Sequence, residues 1–401
     1  MDDAFEHASR TRGVHFKVGL LGAAFLIGVI SAPTSLAQSA PASDAPAFMD
    51  RDNPQLAMLD REERTPRRPR AEPAREPARD SWSFAFDNDA LVPTGRDQDY
   101  TYGLSFSHTG RDARDAWYSL NPVLTGLDRL FGVDHLAGEE GDARTPIDGH
   151  SVEFGLFGFT PEDKQASAPL YDDRPYASLL YMSQSRVRID RGENVAWHSS
   201  LTLGALGLAI VGNGQNAVHK VIGSEHAEGW DHQVSEGGEP TARYTLARQK
   251  YLNPSSENLE VKSTLQASAG YLTEARWSLS FRGGRIADPW WKFNPELASY
   301  ADGSSRGVGG PAPTESYVWG GAAVVARGYN AFLQGQFRDS EVTYDSDELN
   351  HLILEAWLGY TRSFANGWRL SYVLRGHTSE VRDGTADRNV LWGGLIVAKT
   401  F

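Results

Sequence analysis

Ser81-Trp82-Ser83-Phe84-Ala85-Phe86-Asp87 places Trp82, Phe84 and Phe86 on one side of an extended chain and Ser81, Ser83, Ala85 and Asp87 on the other. Side chains of a strand alternate between two faces, so this stretch is a strand with one apolar face. The same period recurs with Tyr100, Tyr102, Leu104 and Phe106 against Thr101, Gly103, Ser105 and Ser107, and with Val152, Phe154 and Leu156 against Ser151, Glu153 and Gly155. It returns late in the chain, where Leu259, Val261, Leu265 and Tyr271 oppose Glu260, Lys262, Thr264, Gln266 and Ser268, and Trp368, Leu370, Tyr372 and Leu374 oppose Arg369, Ser371 and Arg375. Segments of about ten residues with aromatic ends, an apolar phase and a polar phase are the signature of transmembrane β-strands. A soluble sandwich alternates as well, and the pattern alone does not say which face looks inward.

Features at the two ends of the chain favour the membrane barrel. Arg10, Arg12 and Lys17 precede the apolar run Val18 to Ile30, which breaks at Ser31-Ala32-Pro33 and meets the small-residue site Ser35-Leu36-Ala37. This reads as a secretory signal peptide over 1–37. A retained anchor helix is the alternative, but the run falls short of the roughly 18 residues of a span. Residues 38–79 are rich in Pro, Arg, Ala, Asp and Glu and form an expected flexible tether, which leaves 80–401 for the barrel domain. The last strand ends on Phe401. A terminal aromatic of this kind resembles the insertion signal of outer-membrane barrels, so the barrel assembly machinery is an expected partner.

Composition narrows the remaining classes. The 401 residues carry 39 Lys plus Arg against 52 Asp plus Glu, a net charge of −13. The first 79 residues are balanced, so the whole excess belongs to the body of the chain and argues against a nucleic-acid partner. Absence of cysteine excludes disulfides, thiolate metal sites and cysteine nucleophiles.

The expected fold is all-β: a monomeric transmembrane antiparallel up-and-down β-barrel of 12 strands, beginning near Ser81, Tyr100, His150, Pro175, Ala196, Thr241, Leu259, Arg276, Ser316, His351, Gly367 and Arg388. An even count puts both termini in the periplasm, and connections after odd-numbered strands then face outward. Ala365-Asn366-Gly367 suits a tight inner turn. Gly110 to Gly149 is a long inner connection. Within its Ala116–Phe131 core, Leu120, Leu124, Leu127 and Phe131 recur near helical spacing, so a short amphipathic helix at the inner membrane surface is expected there.

The same parity gathers polar groups on the outward side. Asn88 and Asp89 end the first strand and Thr101 opens the second, Lys164 stands in the next outward loop, and the long loop Val211–Pro240 contains Gln215, His219 and Glu225. Strands one to five are sequence neighbours, so these groups are expected on one outer-rim patch. The order Asn88-Asp89, Asp99-Tyr100-Thr101-x-Gly103, Thr160-Pro161 with Lys164, Asp173-Arg174-Pro175-Tyr176-Ala177, and Gln215-Asn216-x-x-His219-x-x-Ile222-Gly223-x-Glu225 followed by Gly229-Trp230 and Gln233 resembles the outer-membrane lipid A deacylases. That resemblance covers most of Ser81 to Phe401. It implies a twelve-stranded barrel whose active site faces the outer leaflet and removes the 3′-linked acyloxyacyl group of lipid A in lipopolysaccharide, with Ca²⁺.

Under that resemblance, His219 is the general base, because an ordinary imidazole titrates near neutrality and takes a proton from water. Glu225 orients its ring or shares the metal shell. Asp89, Asn88 and Thr101 offer the hard oxygens calcium prefers, although Asn-Asp equally suits an Asx turn closing a hairpin. Lys164 stabilises the oxyanion or binds a lipid A phosphate, with a solvated rim lysine as the alternative, and Gln215 is a donor in the same pocket. Strand phase puts Asp89 and Thr101 toward the lumen, and Asn88 outward unless a bulge or twist reorients it. Asp173-Arg174 reads as a structural ion pair. Ser224 lies near His219, but the resemblance makes water the nucleophile, and His226, Asp231 and His232 lack the ligand spacing of a zinc site. Two other functions remain: a non-enzymatic outer-membrane pore or adhesin, and an outer-membrane phospholipase.

Overall fold

The computed structural model describes residue 76 and residues 81–92, 99–133, 147–190, 192–222, 225–298, 300 and 314–401. The expected signal peptide, the tether apart from Glu76, and Ser224 lie outside the described residues. Twelve strands form one closed antiparallel barrel: β1 (Ser81–Asn88), β2 (Asp99–Thr109), β3 (Ile147–Thr160), β4 (Ala177–Asp190), β5 (Val195–Leu206), β6 (Glu239–Tyr251), β7 (Leu259–Gly270), β8 (Leu272–Arg285), β9 (Ser316–Asn330), β10 (Leu352–Ser363), β11 (Trp368–His377) and β12 (Val390–Thr400). Each pairs with its sequence neighbours, and β1 closes on β12 from Ser81 opposite Thr400 to Asn88 opposite Gly393. The expected count and order hold, with the largest offset at β8, which starts at Leu272 rather than Arg276. β1 begins and β12 ends at the same opening, the terminal mouth; the opposite opening is the loop mouth.

Burial decides which face looks inward. Phe84, Phe106, Phe154, Leu265, Leu358 and Leu370 are exposed on the outer wall, whereas Asp87, Ser107, Glu153, Lys262, Arg282 and Arg375 are buried. A soluble sandwich shows the reverse, and an apolar exterior around a polar interior suits a barrel surrounded by lipid. No helix among the described residues is long and apolar enough to cross a membrane.

The pairing departs from simple alternation near the start of β8, between Thr273 and Glu274 against β9, and near the start of β2. The β2–β3 register shifts between Tyr100 and Tyr102, leaving Thr101 as an extra residue. A bulge of this kind reverses the side-chain phase on one side of it. Tyr100 therefore points into the lumen, 5.3 Å from the Tyr300 ring, while Tyr102 packs outside against Val211 and Trp230. The two tyrosines expected on one face lie on opposite faces.

The lumen is filled. After β8 the chain turns inward, and Trp290, Trp291, Phe293, Leu297 and Tyr300 are buried there. Lumen-facing side chains hold this segment: Lys262 pairs with Glu296 at 2.7 Å and donates to the Phe293 carbonyl, and Arg375 and Arg282 donate to the carbonyls of Pro295 and Asp288, both at 2.7 Å. Tyr300 donates to His377 at 3.0 Å. Above it, at the loop mouth, runs a buried ionic network. Glu380 pairs with Arg174 and Arg327 and accepts from Asn330 at 2.8 Å, Arg327 also reaches Glu274 at 2.7 Å, and Arg388 bridges Asp99 at 2.8 Å and Asp173 at 2.5 Å. Asp173 and Arg174 are thus structural ion-pair members, as expected.

At the terminal mouth the described residues of the β2–β3 connection form two helices, α1 (Arg111–Asp115) and α2 (Asn121–Leu130). The expected helix is present, but its anticipated stripe does not share one environment: Leu124 is buried against the barrel while Phe131 is exposed. Glu76 is anchored beside them, its carboxylate 2.6 Å from the His150 amide nitrogen and 2.8 Å from His150 Nδ1, with Arg111 donating to its carbonyl at 2.8 Å.

Candidate active site

The long connection between β5 and β6, expected as a polar loop, begins with a helix, α3 (Ala209–Ile222). Gly212 and Gly214 each weaken a helix by about 1 kcal/mol relative to Ala. Close packing offsets that cost: a Cβ on Gly212 would stand 2.5 Å from the Trp230 ring. On the barrel side, a Cβ on Gly158 would come within 3.0 Å of Trp230 and Val211. Gly158 follows the inward-facing Phe157 and so belongs to the outer wall. Helix α3 therefore lies against the outside of the barrel at the loop mouth, where Tyr102, Tyr176, Val211, Ala227 and Trp230 cluster with Phe86, Leu104 and Leu156.

On this helix His219 is buried, with its Nδ1 2.5 Å from the Glu225 carbonyl oxygen. A carbonyl only accepts, so Nδ1 carries a proton, and in the neutral ring Nε2 is the nitrogen with the lone pair. Glu225 thus contacts the ring through its main chain, and its side chain is exposed. The returning segment is latched to α3 by Asn216, which donates to the Ala227 carbonyl at 3.0 Å and accepts from the Ala227 amide at 2.9 Å. One turn before His219, the Gln215 side-chain oxygen accepts from Trp230 Nε1 at 2.8 Å. This fixes which way the amide faces, and its NH₂ end is buried without a hydrogen bond among the described residues.

Lys164 joins this region through its backbone. Its carbonyl accepts from the Glu228 amide at 2.8 Å and from the Tyr176 hydroxyl at 3.0 Å. Burial pushes the Tyr176 phenol up to about 12, which keeps it protonated as that donor. The Lys164 side chain is half-buried.

The other candidates meet at the start of β2. Asn88 caps a single 3-10 turn over Asp89–Leu91, accepting from the Ala90 amide at 2.7 Å, and its NH₂ donates to the Thr101 carbonyl. The Asx turn and the link to Thr101 are therefore both present. Thr101, the bulged residue, shares a 2.6 Å hydrogen bond with Thr160. Asp89 is buried, with both carboxylate oxygens inside. Tyr102 connects the two groups, since it follows Thr101 and donates its hydroxyl to the Val211 carbonyl on α3. Trp230, Tyr102 and Thr160 are the residues that sequence reasoning passed over. Gly229-Trp230 stood within the quoted motif, but nothing in the sequence pairs the indole with Gln215.

Calcium prefers carboxylate, carbonyl and hydroxyl oxygens. Among the described residues no three His, Asp or Glu side chains gather as ligands. Asp89 supplies a buried carboxylate and Thr101 a hydroxyl, oxygens of the kind calcium takes and a set of low charge, while Asn88 is held by its cap and by its bond to the Thr101 carbonyl.

The family profile of outer membrane protein LpxR matches residues 65–401. The chain belongs to the LpxR family. Its fold is similar to that of LpxR from Salmonella typhimurium, with 17% identity, a TM-score of 0.59, and coverage of 80% of this chain and 100% of that chain. More distant likeness is found to the KdgM porin, at 6% identity and a TM-score of 0.34 over 80% of this chain and 99% of that one. The beta domain of the Bordetella autotransporter Brka stands at 9% identity and a TM-score of 0.35, covering 81% of this chain and 100% of that chain. No curated protein matches. As an LpxR family member the chain is an outer-membrane protein, consistent with its apolar outer wall.

Proposed function

We propose that this LpxR family member is an esterase that removes the 3′-linked acyloxyacyl group of lipid A, with its loop mouth and active site toward the outer leaflet and its termini in the periplasm. The observation that carries the reading is the position of His219, held in one tautomer on a helix packed against the outer wall, where a lipid arrives without entering the barrel. A water attacks the acyl carbonyl while His219 Nε2 takes its proton. The tetrahedral intermediate then collapses, the bond to the sugar 3′ oxygen breaks, and that oxygen recovers the proton from His219. The free NH₂ of Gln215 and the Lys164 ammonium supply donors for the oxyanion. Asp89 with Thr101 would hold a calcium ion, which supplies charge stabilisation to the carbonyl oxygen when bound.

Mass spectrometry of lipid A from cells expressing the protein tests the reaction. Loss of an acyloxyacyl mass that disappears with chelator supports it; an unchanged profile from inserted protein sinks it. Deacylation of glycerophospholipids instead would favour a phospholipase. An open pore is disfavoured by the packed lumen.

Two further outcomes are expected. With a single carboxylate at the proposed site, activity should saturate at calcium concentrations of about 10⁻⁴–10⁻³ M, as for weak low-charge sites. Asp89→Asn should abolish the response, and saturation at nanomolar calcium would contradict the ligand set. Trp230→Phe keeps the slot filled but removes the donor that orients Gln215. A lost hydrogen bond of about 1–1.5 kcal/mol predicts roughly a tenfold fall in kcat with KM little changed. In a Gln215→Ala background the same change should cost nothing; an equal cost there would make Trp230 merely structural.

A further inference from the structure

We propose that α2 is embedded in the bilayer, flat against the outer wall of the barrel, with the lipid acyl chains of the leaflet at the terminal mouth as its partner. The helix is inside out by the standard of a soluble surface helix. Asn121, Thr125 and Asp128 recur along one face and Val123, Leu127 and Leu130 along another. The face turned to protein carries the polar residues together with Leu124: Asp128 is 1% and Leu124 0% exposed, while Val123 is 54% and Leu130 76% exposed. Trp117, just before the helix, and Phe131, just after it, are exposed too. A water-facing helix buries its apolar stripe, and the opposite arrangement suits a hydrocarbon surround.

The barrel wall beneath explains why the polar face is needed. His198 bonds Gln249 and Thr202 bonds Ser183 inside the lumen, so Ser199 between them points outward. Ser199 donates to Asp128 at 2.9 Å, as does the Tyr244 hydroxyl, and Arg186 stands 3.9 Å away. Ser119 donates to Gln184 at 2.8 Å on the same wall. Ser199 is well inside β5, about 13 Å along the strand from its start at 3.3 Å per residue. At that depth, outward-facing Arg186, Gln184 and Ser199 would meet hydrocarbon, where a charged residue costs about 2–4 kcal/mol near the midplane. Helix α2 covers them with its own polar face and presents Val123 and Leu130 in their place. The apolar surface is continuous with the wall, since Phe131 stacks on Tyr244 at 5.2 Å and Tyr118 meets the lipid-facing Phe154 at 5.5 Å.

The cysteine-free sequence makes the test direct. Single cysteines at Val123 and Leu130 are spin-labelled in the full-length protein in phosphatidylethanolamine–phosphatidylglycerol bilayers. Leu358→Cys on the outer wall and Asp347→Cys in an exposed loop serve as references. The expected result is high collision with oxygen and low collision with a water-soluble nickel chelate at 123 and 130, matching position 358. Collision with the chelate like that at position 347 would overturn the proposal and leave the face to water. Dipolar broadening between copies at these positions would also overturn it, because a second chain would then be the cover. All labelled positions are exposed, so the fold tolerates each change.

Discussion

His219→Ala is expected to lower lipid A deacylation by about 10²–10⁴-fold, the usual contribution of a positioned general base. The companion change Glu225→Ala should leave activity near that of the unaltered protein, because the ring is oriented by the Glu225 main-chain carbonyl and the carboxylate faces solvent. Both variants should insert and resist heat-induced unfolding on gels like the parent, since neither residue belongs to the barrel wall. Equal losses in the two would put the Glu225 carboxylate into the reaction. A near-normal His219→Ala enzyme would remove the base from the mechanism altogether.

Glu380→Gln is expected to destabilise the barrel by about 3–5 kcal/mol, the cost of leaving buried charge uncompensated. Glu380 is almost fully buried between Arg174 and Arg327, and the substitution leaves both guanidinium groups without their shared counterion. The measurement is the urea midpoint of protein refolded in lipid. Burial alone would raise the Glu380 carboxyl, but Arg174 and Arg327 outweigh it and hold the group well below the usual carboxylate range. A depressed folded value means that the stabilisation is complete above the unfolded value, about 4.3, and is lost as pH falls below it. The parent should therefore weaken on acidification below about pH 4 more than Glu380→Gln does. Parallel acid profiles would show that this carboxylate does not carry the network.

Much of this was legible because a membrane barrel writes each strand as a local pattern. Trp82, Phe84 and Phe86 against Ser83, Ala85 and Asp87 need no distant partner to be recognised, and their alternation survives in the burial of β1. Features made by long-range packing left no such mark. Tyr100 and Tyr102 look equivalent in the sequence, and only the unpaired Thr101 turns one ring inward. Gly212 and Gly214 argue against a helix, and α3 forms because the Trp230 ring and the Tyr102 hydroxyl occupy the space those glycines leave. The filling of the lumen by Trp290, Trp291 and Phe293 depends on Lys262, Arg282 and Arg375 from three different strands. In the candidate site, residue types and order were readable. That Glu225 meets His219 through its carbonyl was not, because a backbone contact carries no residue signature.

The filled lumen has a mechanical consequence. An empty cylinder of strands flattens under uneven side pressure, whereas an interior packed like a protein core has low compressibility and transmits strain instead of absorbing it. This barrel is a rod more than a tube. The surface to which α3 is fastened keeps its curvature when the surrounding lipids thicken, thin or crowd, so the spacing between Thr101, on the wall, and His219, on the helix, is insulated from the state of the membrane.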